Sequence, residues 1–174
     1  MPIVDRFYND SPNHLADILI DGIAKPTPDF PSPARAHVPQ WKTGMSMPIA
    51  KEFRLNAQRG GKFGIEWTIN GEAFAGHEHH GTALSLINGT WSRLRFINDS
   101  ARIHPMHIHG MFFKVLARDG VAVDEPFFRD TVLVHRRETI DIGVVPLDEG
   151  NWMMHCHILE HAEAGMMTML NVRR

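Results

Sequence analysis

The stretch TIDIGVVPLDEGNWMMHC (residues 139–156) sets the texture of the chain. Ile140, Ile142 and Val144 alternate with Asp141 and Gly143, the period-two pattern of a strand with one buried face. Glu149-Gly150 is a turn signal, and the run that follows climbs back to apolar residues before ending at Cys156. Working outward, the same grammar recurs. Short runs rich in Ile, Val, Phe, Trp and Thr are separated by Asn70-Gly71, Asn88-Gly89 and Asp119-Gly120. Strands are expected over 63–69, 83–87, 91–97, 107–117, 131–135, 139–145, 151–156 and 166–172. Strands at this spacing, with few helical patterns, predict an all-β fold, an antiparallel β-sandwich ahead of a barrel.

Upstream of Lys62 the texture fades. Residues 25–39 (KPTPDFPSPARAHVP) carry five prolines and read as an extended linker or strap. Residues 11–24 suit a short helix or strand with Leu15, Ile18, Leu19 and Ile23 turned inward. Residues 1–60 are therefore expected to be an arm or linker, and 61–174 the folded domain.

Composition narrows the function. A chain of 174 residues with 43% hydrophobic and 22% charged residues can bury a core. A net charge of -2 gives no electrostatic case for nucleic acid or an anionic membrane surface. No apolar run approaches the roughly 18 residues of a spanning helix. The early charges Asp5, Arg6 and Asp10 leave no signal-peptide core at the start of the chain. A single cysteine excludes an intrachain disulfide. Twelve histidines and ten methionines, with that cysteine, are a surplus of soft and borderline metal ligands.

Two strings concentrate them: HPMHIHG (residues 104–110) and HCHILEHAEAGM (residues 155–166). In a strand, neighbours point to opposite faces and residues two apart share one. His155 and His157 thus point one way and Cys156 the other, while His107 and His109 share a face. His104, three positions before His107, falls opposite it, and Pro105 keeps His104 out of the helical region. Parity sorts the ligands into two sets. The first is His104 and Cys156, joined by His161 and Met166 from the loop that follows. Two imidazoles, a thiolate and a distant thioether are the ligands of a blue-copper electron-transfer site. The second is His107, His109, His155 and His157, four imidazoles on one side of two strands, which is half of a larger copper site. Met166 has a competing role, since Met167 and Met169 beside it read as core residues. GHEHHG (residues 76–81) reads as a solvated loop, with His77, His79 and His80 as an alternative source of imidazoles. His14, His37 and His135 have no partners in sequence and read as ordinary residues.

Over roughly residues 60–174 the chain resembles the C-terminal cupredoxin domain of a multicopper oxidase, the family of laccases, bilirubin oxidases and cuprous oxidases. The resemblance rests on INGEAF (69–74), HPMHIHG, RDTVLV (129–134) and HCHILEHAEAGMM (155–167). It implies a cupredoxin-like Greek-key β-sandwich behind an N-terminal extended arm. It also implies a type 1 copper on His104, Cys156, His161 and axial Met166. His107 would bind the type 2 copper, and His109, His155 and His157 the type 3 pair. Cys156, His155 and His157 would carry electrons from the type 1 copper to the trinuclear cluster, where dioxygen becomes water. The donor would be a phenol, an aromatic amine or a metal ion. The family is mostly periplasmic or secreted.

Two departures stand out. The family takes four further cluster histidines from two His-x-His motifs of another cupredoxin domain, and His-Trp-His and His-Ser-His do not occur here. The cluster is therefore expected to be completed by another domain or chain. A standalone blue-copper electron carrier is the alternative. Many bacterial relatives carry Glu directly after the last type 1 histidine. Here Ala162 holds that place and Glu163 follows it.

Overall fold

The computed structural model describes residues 1–5, 12–22, 46–76 and 83–174. The expected linker at 25–39 and His37, His77, His79 and His80 lie outside these residues. The chain divides into two compact units, Met1–His37 and Val38–Arg174. In the first, β1 (Pro2–Asp5) pairs antiparallel with β2 (Asn13–Asp17). Of the short helix or strand expected in this region a strand forms, but Leu15, Ile18 and Leu19 are exposed rather than turned inward. Among the described residues of this unit, the two-stranded ribbon is the only sheet, and an isolated pair of strands buries little apolar surface.

The second unit is a two-sheet sandwich. Its strands are β3 (Ile49–Arg59), β4 (Ile65–Ile69), β5 (Leu84–Ile87), β6 (Ser92–Asn98), β7 (His104–Ile108), β8 (Phe113–Arg118), β9 (Val121–Ala122), β10 (Thr131–Val134), β11 (Thr139–Val144), β12 (Gly150–Cys156) and β13 (Met167–Arg173). A single helical turn and a half, α1 (Leu159–Glu163), joins the last two. One sheet runs β4-β3-β6-β11-β8-β9, the other β10-β7-β12-β13-β5. The core holds Phe53, Phe96, Phe113, Ile140 and Ile142 of the first sheet. The second contributes Met106, Ile108, Met154 and Leu170, all fully buried. Truncating any of the three phenylalanines to alanine is expected to cost about 3–5 kcal/mol.

The structure differs from the sequence expectation in three places. First, the sheets are mixed: β6 runs parallel to β3 and β13 parallel to β5. The chain leaves the first sheet after β4, visits the second as β5, and returns as β6 beside β3. Such a crossover brings two strands together in the same direction. Second, β3 lies on the arm side of the expected boundary at residue 60, and it pairs with both β4 and β6. Its alternation is real, with Phe53 and Leu55 buried between exposed Glu52, Arg54 and Asn56, but these are its only buried large apolar residues.

Third, the single strand expected over 107–117 is two strands in different sheets. The chain turns at Gly110, whose φ of 65° is costly for other residues. A Cβ at Gly110 would lie 2.3 Å from the Trp152 ring. This break sets the site. It ends β7 just after His107 and leaves β7 beside β12, with His107 opposite His155 and Met106 opposite Cys156.

Candidate metal centres

The inner set lies on the core side of β7 and β12. His104 and Cys156 are fully buried, and His161, on α1, is 8% exposed. The thiol sulfur is 3.8 Å from His104 Nδ1 and 3.7 Å from His161 Nδ1. The two Nδ1 atoms are 3.1 Å apart. Three ligand atoms from three elements therefore converge on one point.

The far side of His104 is fixed. Its Nε2 lies 2.8 Å from the Ser100 hydroxyl, which directs Nδ1 inward. Ser100 is in turn held by Asn98. The Asn98 Oδ1 accepts from the Ser100 N–H at 3.0 Å and its hydroxyl at 2.8 Å, and Asn98 Nδ2 donates to the Arg102 and His135 carbonyls. A partner on the second ring nitrogen is the usual way a protein orients a metal-binding imidazole.

Electrostatics fit the same use. Burial, aided by neighbouring His161, pulls the His104 imidazole down to about 3. Burial likewise holds His161 at about 4, against the opposing pull of Glu160. Both rings are thus neutral near pH 7, the form that offers a lone pair. Burial pushes the Cys156 thiol up to about 12, although the Ile158 N–H donates to its sulfur at 3.4 Å. A metal binding here displaces that proton, since only the thiolate is a ligand. Two neutral imidazoles and a thiol, with no carboxylate in the group, suit a soft or borderline ion such as copper.

Met166 is fully buried beside this group. Its carbonyl accepts from the Cys156 N–H at 3.1 Å, and its own N–H donates to the His161 carbonyl at 2.9 Å. The main chain thus ties the expected axial residue to two members of the set. Met167 then opens β13 opposite His155.

The outer set lies on the opposite face of the same two strands. His109 Nε2 and His155 Nε2 are 3.0 Å apart. His107 Nδ1 donates to the Asp130 carbonyl at 2.9 Å, and His155 Nδ1 donates to the Cys156 carbonyl at 2.9 Å. With Nδ1 donating, Nε2 carries the lone pair in both rings, and that of His155 meets His109. The ligand atoms of His107, His109 and His155 lie within 4.8 Å of one another. His157 stands slightly apart. Its ring centroid is 4.7 Å from that of His107 and 5.1 Å from that of His155, to which it is nearly parallel. Partial burial, then the surrounding imidazoles, depress protonation of His109 and His157. Unlike the inner set, this face is open: His109 and His157 are exposed and the other two are half-buried.

Of the remaining histidines, His14 pairs with Asp17 in the first unit and His135 is exposed. Glu163 is also exposed and lines a surface cavity with Phe63 and Ile65. Sequence reasoning missed two residues of the inner site. Ser100 had a signal in the Asn-Asp-Ser run, which favours local side-chain-to-backbone bonding just ahead of His104. Trp67 had none. It arrives from β4 in the other sheet, with its ring centroid 3.8 Å from that of His161 and 5.3 Å, edge on, from that of His104.

A cupredoxin-type sandwich with a buried His-Cys-His group defines a class of copper protein. Comparison with known proteins gives the family. The multicopper oxidase family model matches residues 44–174. A multicopper oxidase of Staphylococcus aureus is 36% identical over 111 residues, covering 62% of this chain and 25% of that protein. The bilirubin oxidase of Albifimbria verrucaria is 37% identical over 130 residues, covering 70% of this chain and 22% of that protein. Among solved structures, a laccase from Pediococcus acidilactici superposes with a TM-score of 0.67 at 28% identity, covering 87% of this chain and 32% of its own. The chain belongs to the multicopper oxidase family, whose metal is copper. It spans between 15% and 25% of the length of the curated relatives it matches.

Proposed function

We propose that this chain is the copper-accepting end of a laccase-type oxidase. His104, Cys156, His161 and Met166 would hold a type 1 copper. His107 would contribute to a type 2 copper and His109, His155 and His157 to a type 3 pair. Bound there, copper supplies one-electron redox chemistry at the inner site and dioxygen reduction to water at the outer one. The observation that carries this reading is the placement of both sets on opposite faces of one strand pair, with Cys156 between two outer-set histidines.

The protein's own groups account for the rest. Ser100 holds His104 with its Nδ1 inward, and the sandwich core keeps water from the thiol. The His155 N–H bonded to the Cys156 carbonyl adds a short link between the sets, beside the covalent one along β12. Asp130 and Cys156 use their carbonyls to keep the outer imidazoles facing out. The donor would be a phenol, an aromatic amine or a metal ion. The outer set offers half of a cluster, so another cupredoxin domain or chain would supply the remaining histidines. Among the described residues no helix is long and apolar enough to cross a membrane.

Copper counting by assembly state, with oxygen uptake on a phenolic dye, tests the proposal. More than one copper per chain and oxygen uptake in an assembly containing a second cupredoxin domain are expected. One copper per chain in every assembly, blue but without oxygen uptake, would leave a standalone electron carrier instead.

A further inference from the structure

Residue order alone reads Met167 and Met169 as core residues, and the structure corrects this. In β13 the buried residues are Leu170 and Val172, so Met169 and Asn171 turn away from the core, and Met167 turns with them. In β12 Met154 and Cys156 are buried, so Met153 and His155 turn the same way. The register sets Met167 opposite His155 and Met169 opposite Met153. One step further along, the Asn171 amide donates to Asn151 Oδ1 at 2.9 Å, a side-chain contact made on that shared face. The His109 N–H donates to the Met153 carbonyl at 2.9 Å, which seats Met153 next to the outer imidazoles.

Three thioethers and one imidazole therefore form a two-by-two block on the outer face, and all four residues are half-buried. Directly opposite residues of an antiparallel pair have Cβ atoms about 4.5–5.5 Å apart. Neighbours on one face of a strand are roughly 7 Å apart. A methionine side chain has three rotatable bonds, so sulfurs at these spacings can close on a single ion. A thioether is soft and uncharged, and suits Cu(I). Among the described residues, no carboxylate holds a strand position beside the block on this face. It therefore lacks the oxygen ligands of a hard divalent ion. A merely apolar surface would be served as well by leucine, and that equivalence supplies the control.

We propose that Met153, Met167 and Met169 form a cuprous-ion site at the edge of the outer set, and that His155 takes the ion from it into that set. The binding half stands on the sheet register. The transfer half rests on the outer set being a copper site. Transfer is ligand exchange: copper–sulfur bonds break as a copper–nitrogen bond to His155 forms. The ion stays Cu(I), and neither an electron nor a proton is gained or lost. The His155 ring is set for this, since its Nδ1 donates to the Cys156 carbonyl and the lone pair is on Nε2.

Silver(I), a redox-inert stand-in for Cu(I), tests the binding on the full metal-free chain carrying 13C in its methionine methyl groups. Cys156 is expected to take the first equivalent. The next should shift the methyl signals of Met153, Met167 and Met169 together, each signal assigned by replacing its residue with leucine. Methionine and leucine have similar volumes, so the fold tolerates the exchange. Met153→Leu with Met169→Leu should weaken silver binding beyond the first equivalent at least tenfold and leave the cupric affinity of the chain unchanged. Methyl signals that silver does not move, or an unchanged silver affinity in the double variant, overturn the site.

Transfer is timed without oxygen by the His155 ring signal after mixing with a cuprous acetonitrile complex. That signal should change several-fold more slowly in the double variant than in the unaltered chain. Equal rates overturn the transfer and leave the binding. A ring signal that copper never moves overturns the outer set as a copper site, and the silver titration still decides the thioether block.

Discussion

The two faces of the β7–β12 pair are built from the same few residues of chain and end up as opposites. On the core face, His104 and Cys156 have a fixed geometry, neutral rings, a Ser100–Asn98 support and an aromatic cover from Trp67. On the outer face, two of the four histidines are exposed and two half-buried, and main-chain carbonyls hold the Nδ1 atoms of His107 and His155. The difference shows what completes a metal site. Ligand residues at strand spacing provide the donors, but closure needs a second layer. The six-stranded sheet provides that layer for one face, and nothing among the described residues provides it for the other.

The largest expected effect separates the faces outright. Cys156→Ser should abolish the visible colour of the copper-loaded chain and the stabilisation that copper brings to it. A ligand at about a thousand times its Kd adds about 4 kcal/mol, so the unaltered chain should melt well above its metal-free form. Calorimetry on both forms checks this. Equal melting temperatures for loaded and metal-free unaltered chain would remove the finished site from the comparison.

Gly110→Ala comes next and strikes the outer face. The added methyl meets Trp152 at a positive φ, and such strain with overpacking should destabilise the fold by about 2–4 kcal/mol. It should displace His109 while sparing the colour of the inner site. Denaturant unfolding and copper counting read the two parts separately. Ser100→Ala acts on the inner face instead. It leaves a buried imidazole nitrogen unpartnered, for about 1–3 kcal/mol of stability, and should weaken copper binding by roughly 10- to 100-fold. A competitive chelator titration measures the second effect, and unchanged affinity would show that Ser100 does not orient His104.

The smallest effect is the sharpest check on the asymmetry. His109→Ala, on the open face, should change metal-free stability by no more than about 0.5 kcal/mol. It should lower only the copper bound beyond the first equivalent. A loss of colour in that variant would mean that the faces are not independent.

Much of this was legible in residue order. The alternation in residues 139–145 and the Asn-Gly and Asp-Gly turns announced a β-sandwich. Parity alone divided the candidate ligands, and the register puts His155 opposite His107 and Cys156 opposite Met106. What was hidden had physical causes. β3 carries only two large buried residues, Phe53 and Leu55, too few to stand out beside a proline-rich stretch. The break at Gly110 depends on Trp152, more than forty residues away along the chain. The parallel pairings follow from the path between sheets, which no local pattern records.

Residue order by itself determined which atoms are available and which side of a strand each one takes, because side-chain direction in a strand is a local, two-residue property. Only the tertiary structure decided which set is enclosed. Burial, the neutral state of the His104 and His161 rings, the hold of Ser100 and the stacking of Trp67 all arise where separate segments meet. Such meetings depend on long-range packing, which sequence spacing does not encode.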